Sequence, residues 1–337
     1  MTILKVGMIS FAHAGHPENY LKGLLNHPNV IIAGIADEKK ERVDKWISEH
    51  DIPYYADYRD LLLTDCDAVI ICSEYRDHAR ITIEAAKAGK HILCEKPLGL
   101  SIEEMRQMIH VCQEQQVQLM TAFPCRYLTS IIEVRAAIQR GDIGEVIAIK
   151  GTNRGVNPGH WFIDAERSGG GSIMDHTVHI MDVMNWIMEV PVKEVYAQAS
   201  TVFYDIDVDD AGMVHVKFEN DVIGVIDTSW SLTEAFPMIF DVTLEVIGTK
   251  GVISVDALAQ NNEIYGGSSN KAQWSFWGDD LDRYLVEGFL DALLSGKNVP
   301  ITGEDGYKAT AVALAAYESI RRDETVAMAP FEKERLA

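Results

Sequence analysis

Residues 3 to 121 alternate short β-rich runs with helical patterns, and this alternation constrains the fold more than any other feature of the chain. The strand candidates are Ile3–Ile9, Val30–Ala36, Ala68–Ile71, His91–Cys94 and Gln118–Thr121. Helical patterns lie between them near Glu18–Asn26, Glu38–His50, Asp77–Ala88 and Ser101–Gln115. Such a succession predicts an α/β fold with a parallel sheet covered on both faces, a Rossmann-type doubly wound domain over residues 1–122. Local signals agree with it. Ser101 and Glu104 form a capping-box pattern at a helix start, and Gly89 stands where a helix ends.

From about residue 123 the pattern changes. A helix over Leu128–Arg140 gives way to longer β-rich runs at Val146–Thr152, Val195–Phe203, Gly212–Phe218, Val222–Trp230, Ile239–Ile247 and Val252–Val255. Few helices interrupt them, which predicts an α+β domain over 123–337 with one large, mainly antiparallel sheet. A helix over Ser168–Met188 is expected to cover one face, and two helices, Leu281–Leu294 and Glu304–Arg322, close the chain. Gln260–Asn270, polar and rich in Gly and Ser, reads as a loop.

The chemistry concentrates at strand ends. The first strand runs into Ser10-Phe11-Ala12-His13-Ala14-Gly15, the place of a dinucleotide loop, but only the last glycine of Gly-x-Gly-x-x-Gly is kept. Asp37 closes the second strand, where a carboxylate accepts from a ribose and repels a 2′-phosphate, favouring NAD over NADP; an N-cap role fits it equally well. Lys39 and Lys40 beside it keep NADP open. Lys96 precedes Pro97 at the end of another strand, where open α/β sheets bind ligands. In Ser168–Asp182, three glycines lead into a buried-looking helix with Asp175 and His179 one turn apart, a carboxylate beside an imidazole as a general base needs. His176, one residue after Asp175, is expected to point away from that face. Arg154, Asn157, His160 and Trp161 offer donors, acceptors and an aromatic face to a polyol.

The formal charge of −21 argues against nucleic acid or an anionic membrane surface as partner. Cys66, Cys72, Cys94, Cys112 and Cys125 match no zinc spacing and read as reduced thiols of a cytoplasmic protein. The chain opens on a strand, and neither a signal peptide, a membrane span nor a metal site is expected.

Ala88-Gly89-Lys90-His91-Ile92-Leu93-Cys94-Glu95-Lys96-Pro97-Leu98 resembles the "AGKHVLCEKP" signature of the Gfo/Idh/MocA oxidoreductases. The resemblance continues through Gly141-Asp142-Ile143-Gly144-Glu145-Val146, Gly169-Gly170-Gly171 with Asp175 and His179, and Ala316-Tyr317-Glu318-Ser319. It implies catalysis by Lys96, Asp175 and His179 between the two domains. It also implies hydride transfer between a sugar or cyclitol hydroxyl and NAD(P), and a homodimer or homotetramer formed through the large sheet. The expected cofactor-binding set is Ser10, Phe11, Ala12, His13, Asp37, Ser73, Tyr75, His78, Glu95, Lys96 and Arg126. The expected substrate-binding set is Lys96, Arg154, Asn157, His160, Trp161, Asp175 and His179. The chain departs from the pattern at the dinucleotide loop, at Glu74-Tyr75 in place of Pro-Asn, and at Pro124-Cys125 before Arg126. Two other classes stay open: a cryptic-redox glycosidase or lyase that retains its NAD, and a non-catalytic dinucleotide or sugar sensor.

Overall fold

A computed structural model describes residues 3–13, 15–233, 235–265 and 273–329. They group into two compact units, Met1–Pro124 with Leu281–Tyr307, and Cys125–Asp280 with Lys308–Ala337. The division expected at residue 122/123 is therefore crossed a second time, when 281–307 returns to the first unit.

The first unit contains β1 (Leu4–Ile9), α1 (His16–Asn26), β2 (Val30–Ala36), α2 (Asp44–His50), β3 (Tyr54–Tyr55) and α3 (Tyr58–Leu62). It continues with β4 (Ala68–Ile71), α4 (His78–Lys87), β5 (His91–Cys94), α5 (Ile102–Glu114) and β6 (Leu119–Thr121). The strands are parallel in the order β3-β2-β1-β4-β5-β6, which reverses direction beside β1 and creates a switch point there. All four residues of β4 are buried, as a strand covered on both faces requires. Ser101 Oγ accepts from Glu104 N at 3.2 Å, and Gly89 (φ 73°) closes α4 with Gly89 N to Ala86 O and Lys90 N to Ala85 O. The helix expected from Glu38 begins only at Asp44, because Asp37 Oδ1 takes Lys39 N and turns the chain first.

In the second unit come α6 (Thr129–Arg140), β7 (Val146–Thr152), α7 (Ala165–Ser168), α8 (Ser172–Met188), β8 (Val192–Ser200) and β9 (Ala211–Phe218). They are followed by β10 (Ile223–Asp227), β11 (Thr243–Gly248), β12 (Val252–Asp256), β13 (Asn261–Ile264) and β14 (Gln273–Phe276). The closing elements are α9 (Leu281–Ser295), α10 (Gly303–Arg322) and β15 (Val326–Ala327). A sheet runs β12-β11-β7-β10-β9-β8-β15, antiparallel at every described pairing except β7 with β10. Helix α8 packs on β7, β9 and β10. Part of the expected 260–270 loop is strand, since Asn261–Ile264 pairs with Gln273–Phe276; positions 266–270 lie outside the described residues. Helix α9 belongs to the first unit, where Asn19 of α1 donates to Asp282 at 2.8 Å.

The start of α8 explains its glycines. Asp209, in the loop before β9, accepts from Gly171 N (3.0 Å), Ile173 N (2.8 Å) and Ser172 Oγ (3.1 Å), while its carbonyl takes Ser172 N (2.8 Å). The Tyr317 hydroxyl on α10 donates to the same carboxylate at 2.7 Å and accepts from Gly171 N at 3.0 Å. A Cβ on Gly171 would fall 1.9 Å from Asp209 O, and one on Gly170 would fall 2.1 Å from the Tyr317 hydroxyl. The close approach is thus satisfied inside this unit. Gly171→Ala is expected to destabilise the protein by about 3 kcal/mol, because backbone must move. Asp209→Ala should cost about 2 kcal/mol through lost capping. Urea unfolding checks both, and a Gly171→Ala midpoint equal to wild type would refute the packing argument.

Candidate active site

The loop after β1 is built without the first two of its usual glycines. Ser10 takes φ 68°, a left-handed conformation that costs a non-glycine residue about 1 kcal/mol or more, and its Oγ accepts from Ala12 N at 3.1 Å. Asp37, fully buried, accepts from Phe11 N (2.6 Å) through Oδ2. Its Oδ1 accepts from Lys39 N (2.7 Å) and Arg42 Nη1 (3.3 Å). The carboxylate expected to read a ribose therefore also shapes the loop. Around it lies a cavity of about 290 Å³, lined in part by Ser10, Ala12, Asp37, Arg42, Ser73 and Glu74. It lies at the carboxyl ends of β1, β2 and β4, and its size suits a nucleoside.

Next along the strand ends come Glu95 and Lys96, after β5. The Glu95 side chain has no exposed surface. Its Oε1 accepts from the Tyr20 hydroxyl at 2.6 Å and faces His16 Nδ1 at 3.0 Å, while Oε2 accepts from Lys96 N at 3.1 Å. Burial alone would raise the Glu95 pKa, but His16, His13 and Lys96 hold it well below the usual carboxylate range. Burial would likewise lower His16, and Glu95 overrides it, so His16 lies above its ordinary value. The His13 and His16 rings lie 4.5 Å apart. Lys96 is 3% exposed, and its Nζ donates to the Tyr75 hydroxyl at 3.4 Å. His78 has no exposed surface, with Nδ1 at 2.8 Å from Pro97 O and Nε2 at 3.2 Å from Ser73 O. It props these turns from beneath.

In the second unit, Asp175 and His179 lie buried on α8, one turn apart. His176 does not point away as expected, because its Nε2 lies 3.1 Å from Asp175 Oδ2. Adjacent Cβ vectors diverge on a helix, but an imidazole is long enough to swing back to its neighbour. Trp230 Nε1 donates to the same oxygen at 3.3 Å. Room for the His176 ring depends on Gly155, whose Cβ would fall 2.4 Å from His176 Cε1.

The remaining candidates scatter. Arg126 holds Asp182 of α8 through Nε (2.6 Å) and Nη2 (2.5 Å), both side chains buried. Arg154 grips Asp241 at 2.8 and 2.5 Å. Asn157 Oδ1 accepts from Gly159 N, Trp161 is buried against Phe162 with ring centroids 3.9 Å apart, and His160 is exposed. Sequence reasoning missed Asp209, Tyr317 and Trp230; only Tyr317 carried a signal, through the Ala316–Ser319 resemblance.

Two family models match the chain. One, described as an oxidoreductase family with an NAD-binding Rossmann fold, covers residues 4–123; the other, the GFO/IDH/MocA C-terminal domain, covers 131–254. An uncharacterized oxidoreductase, YrbE, of Bacillus subtilis is 31% identical over 89% of this chain and 90% of its own. A myo-inositol 2-dehydrogenase of Thermotoga maritima is 29% identical over 96% of this chain and 98% of its own. The crystal structure of GenD2 from gentamicin A biosynthesis in complex with NAD superposes with a TM-score of 0.89 at 23% identity, covering 97% of each chain.

The Glu95–His16 pair has a pH signature. Glu95 is depressed below its ordinary 4.5, so its contribution to stability is present above that value and is lost as pH falls. His16 is raised above its ordinary 6.5, so its contribution is complete below 6.5 and is lost as pH rises through the folded-state value. Glu95→Gln is expected to cost about 2 kcal/mol at pH 6 and to flatten the alkaline decline. Urea midpoints from pH 5 to 9 measure this; a variant with the wild-type slope would exclude the pairing as its cause.

Proposed function

The chain belongs to the Gfo/Idh/MocA oxidoreductase family, and we propose that it is an NAD-dependent dehydrogenase of a cyclitol or sugar, with Lys96, Asp175 and His179 as its catalytic residues. The observation that carries this reading is the row of strand ends in the first unit. The loop, Asp37 and the nucleoside-sized cavity stand at the switch point, and Lys96 stands at the end of β5, two strands from β1. Around the cavity, Asp37, Glu38, Asp57, Glu74 and Asp77 outnumber Arg42, Arg59, Arg76 and Arg80. Arg42 and Arg76 each face two of these carboxylates, Arg59 faces Asp57 and, outside the cavity, Glu84, and Arg80 pairs with Asp77. A 2′-phosphate would have to displace those partners, which supports NAD. The myo-inositol dehydrogenase likeness supports a cyclitol.

Bound NAD supplies the acceptor for the hydride that leaves the carbinol carbon. His179, neutral, takes the hydroxyl proton on a ring nitrogen, and Asp175 favours the imidazolium that results. Lys96 donates from Nζ to the same oxygen and stabilises developing alkoxide charge, a contribution of roughly 3 kcal/mol. His176, through its contact with Asp175, adds a second imidazole to the group.

Ser10 and Ala12 in the dinucleotide loop favour a second reading, in which NAD is retained and its transient reduction permits elimination at a neighbouring carbon. Absorbance at 340 nm across a panel of cyclitols, sugars and sugar acids separates the two. Stoichiometric NADH is expected; turnover without it would favour the second. Lys96→Ala should lower kcat about 100-fold while leaving NAD affinity within about twofold, and an active variant removes Lys96 from the chemistry.

The face of the large sheet opposite α8 carries Ile223, Met213 and Val252, exposed by 51%, 45% and 56%, with Tyr196 beside His215. We infer that a second copy covers it. Ile223→Glu should lower the mass seen by light scattering, and an unchanged oligomer would exclude this face.

A further inference from the structure

We propose that Tyr75 is a positioning residue for Lys96: it sets where the ammonium lies, and so governs kcat rather than cofactor affinity. The inference rests on the assignment of Lys96 above and deepens it. Glu74-Tyr75 stands where the resembled pattern has Pro-Asn, so the phenol at that turn departs from it. Tyr75 is 1% exposed; its hydroxyl accepts from Lys96 Nζ at 3.4 Å, and Nζ lies 5.7 Å from the centre of its ring. The ammonium therefore sits beside the hydroxyl edge of the ring, and the oxygen is its point of contact.

The ring is itself held. Tyr75 packs edge-on to His78, centroids 5.7 Å apart at 60°, and the two His78 nitrogens lie against Ser73 O and Pro97 O. Pro97 follows Lys96 in the chain, and Glu95 Oε2 accepts from Lys96 N. The turn from Ser73 to His78 thus grips Lys96 twice, at its backbone through Pro97 and at its head through Tyr75. A lysine carries four flexible carbons, and its ammonium is useful to an alkoxide only where it is held. A cofactor contact by Tyr75, the expectation from the resemblance, makes the opposite prediction, with NAD affinity as the sensitive quantity.

The test compares Tyr75→Phe, which keeps the ring and loses the oxygen, with Tyr75→Leu, which loses both. Lys96→Ala serves as reference, and the substrate is the panel compound that wild type turns over fastest, deuterated at the reacting carbon. Tyr75→Phe should lower kcat about fivefold and Tyr75→Leu about 100-fold. The deuterium isotope effect on kcat should rise in both, with the Kd for NAD within about twofold of wild type. Wild-type kcat in both variants, or losses confined to NAD affinity, overturns the proposal. An active Lys96→Ala overturns the functional reading instead. A crystal structure of Tyr75→Phe then decides the inference without substrate: a displaced or disordered Lys96 ammonium supports it, and an ammonium left in place refutes it even if the variant melts early.

Discussion

A carboxylate with no exposed surface, Glu95, joins the parts of the first unit on which a dinucleotide site depends. One oxygen meets Tyr20 and His16 of α1, directly after the loop, and the other meets the backbone of Lys96. A buried charge is tolerated only when opposite charge and donors surround it, and here those groups lie beside the candidate cofactor loop and at the candidate Lys96. The same interaction that makes the ion affordable ties β5 to α1. Lys96 inherits its position from this junction at one end and from the Ser73–His78 turn at the other.

The second unit uses a different device for the same end. Helix α8 carries Asp175, His176 and His179, and its first turn is fixed by Asp209 and Tyr317, which close in over glycines. Farther along, Asp182 takes Arg126 in a buried two-point pair, and Trp230 anchors Asp175. The helix is therefore pinned at its start, at the candidate carboxylate and near its middle. General acid–base chemistry needs that rigidity, because proton transfer is sensitive to tenths of an ångström.

The parallel sheet was legible because a strand covered on both faces must be apolar throughout, as Ala68–Ile71 is. The two-residue strand Tyr54–Tyr55 and the short helix after it were not, since so few residues show no periodicity. Lys96, Asp175 and His179 stood out as candidates through residue type, spacing and the family resemblance, whereas Trp230 and Asp209, which hold Asp175 and the start of α8, carried no such signal. Trp230 lies 55 residues from Asp175, and Tyr317 lies 146 from Gly171, separations over which no local pattern reaches. His176 was misread for a subtler reason. Helical spacing fixes where Cβ points, and a five-membered ring on a rotatable bond can still meet its neighbour's carboxylate. The return of α9 to the first unit was equally hidden, because amphipathicity shows that a helix packs but not against what.

Asp37 carries a consequence for how such a protein can change. Its carboxylate is the proposed discriminator at the ribose end of the site and, through Phe11 N and Lys39 N, also holds the loop and the following turn. A lineage drifting toward a phosphorylated cofactor could not simply exchange this acid for a residue without an acceptor, since the buried Phe11 N and the part-buried Lys39 N would lose their partner together. The viable path keeps Asp37 and alters the partners of Arg42, first the exposed Glu38. On the proposed reading, cofactor preference would be evolvable at the rim of the site and frozen at its centre.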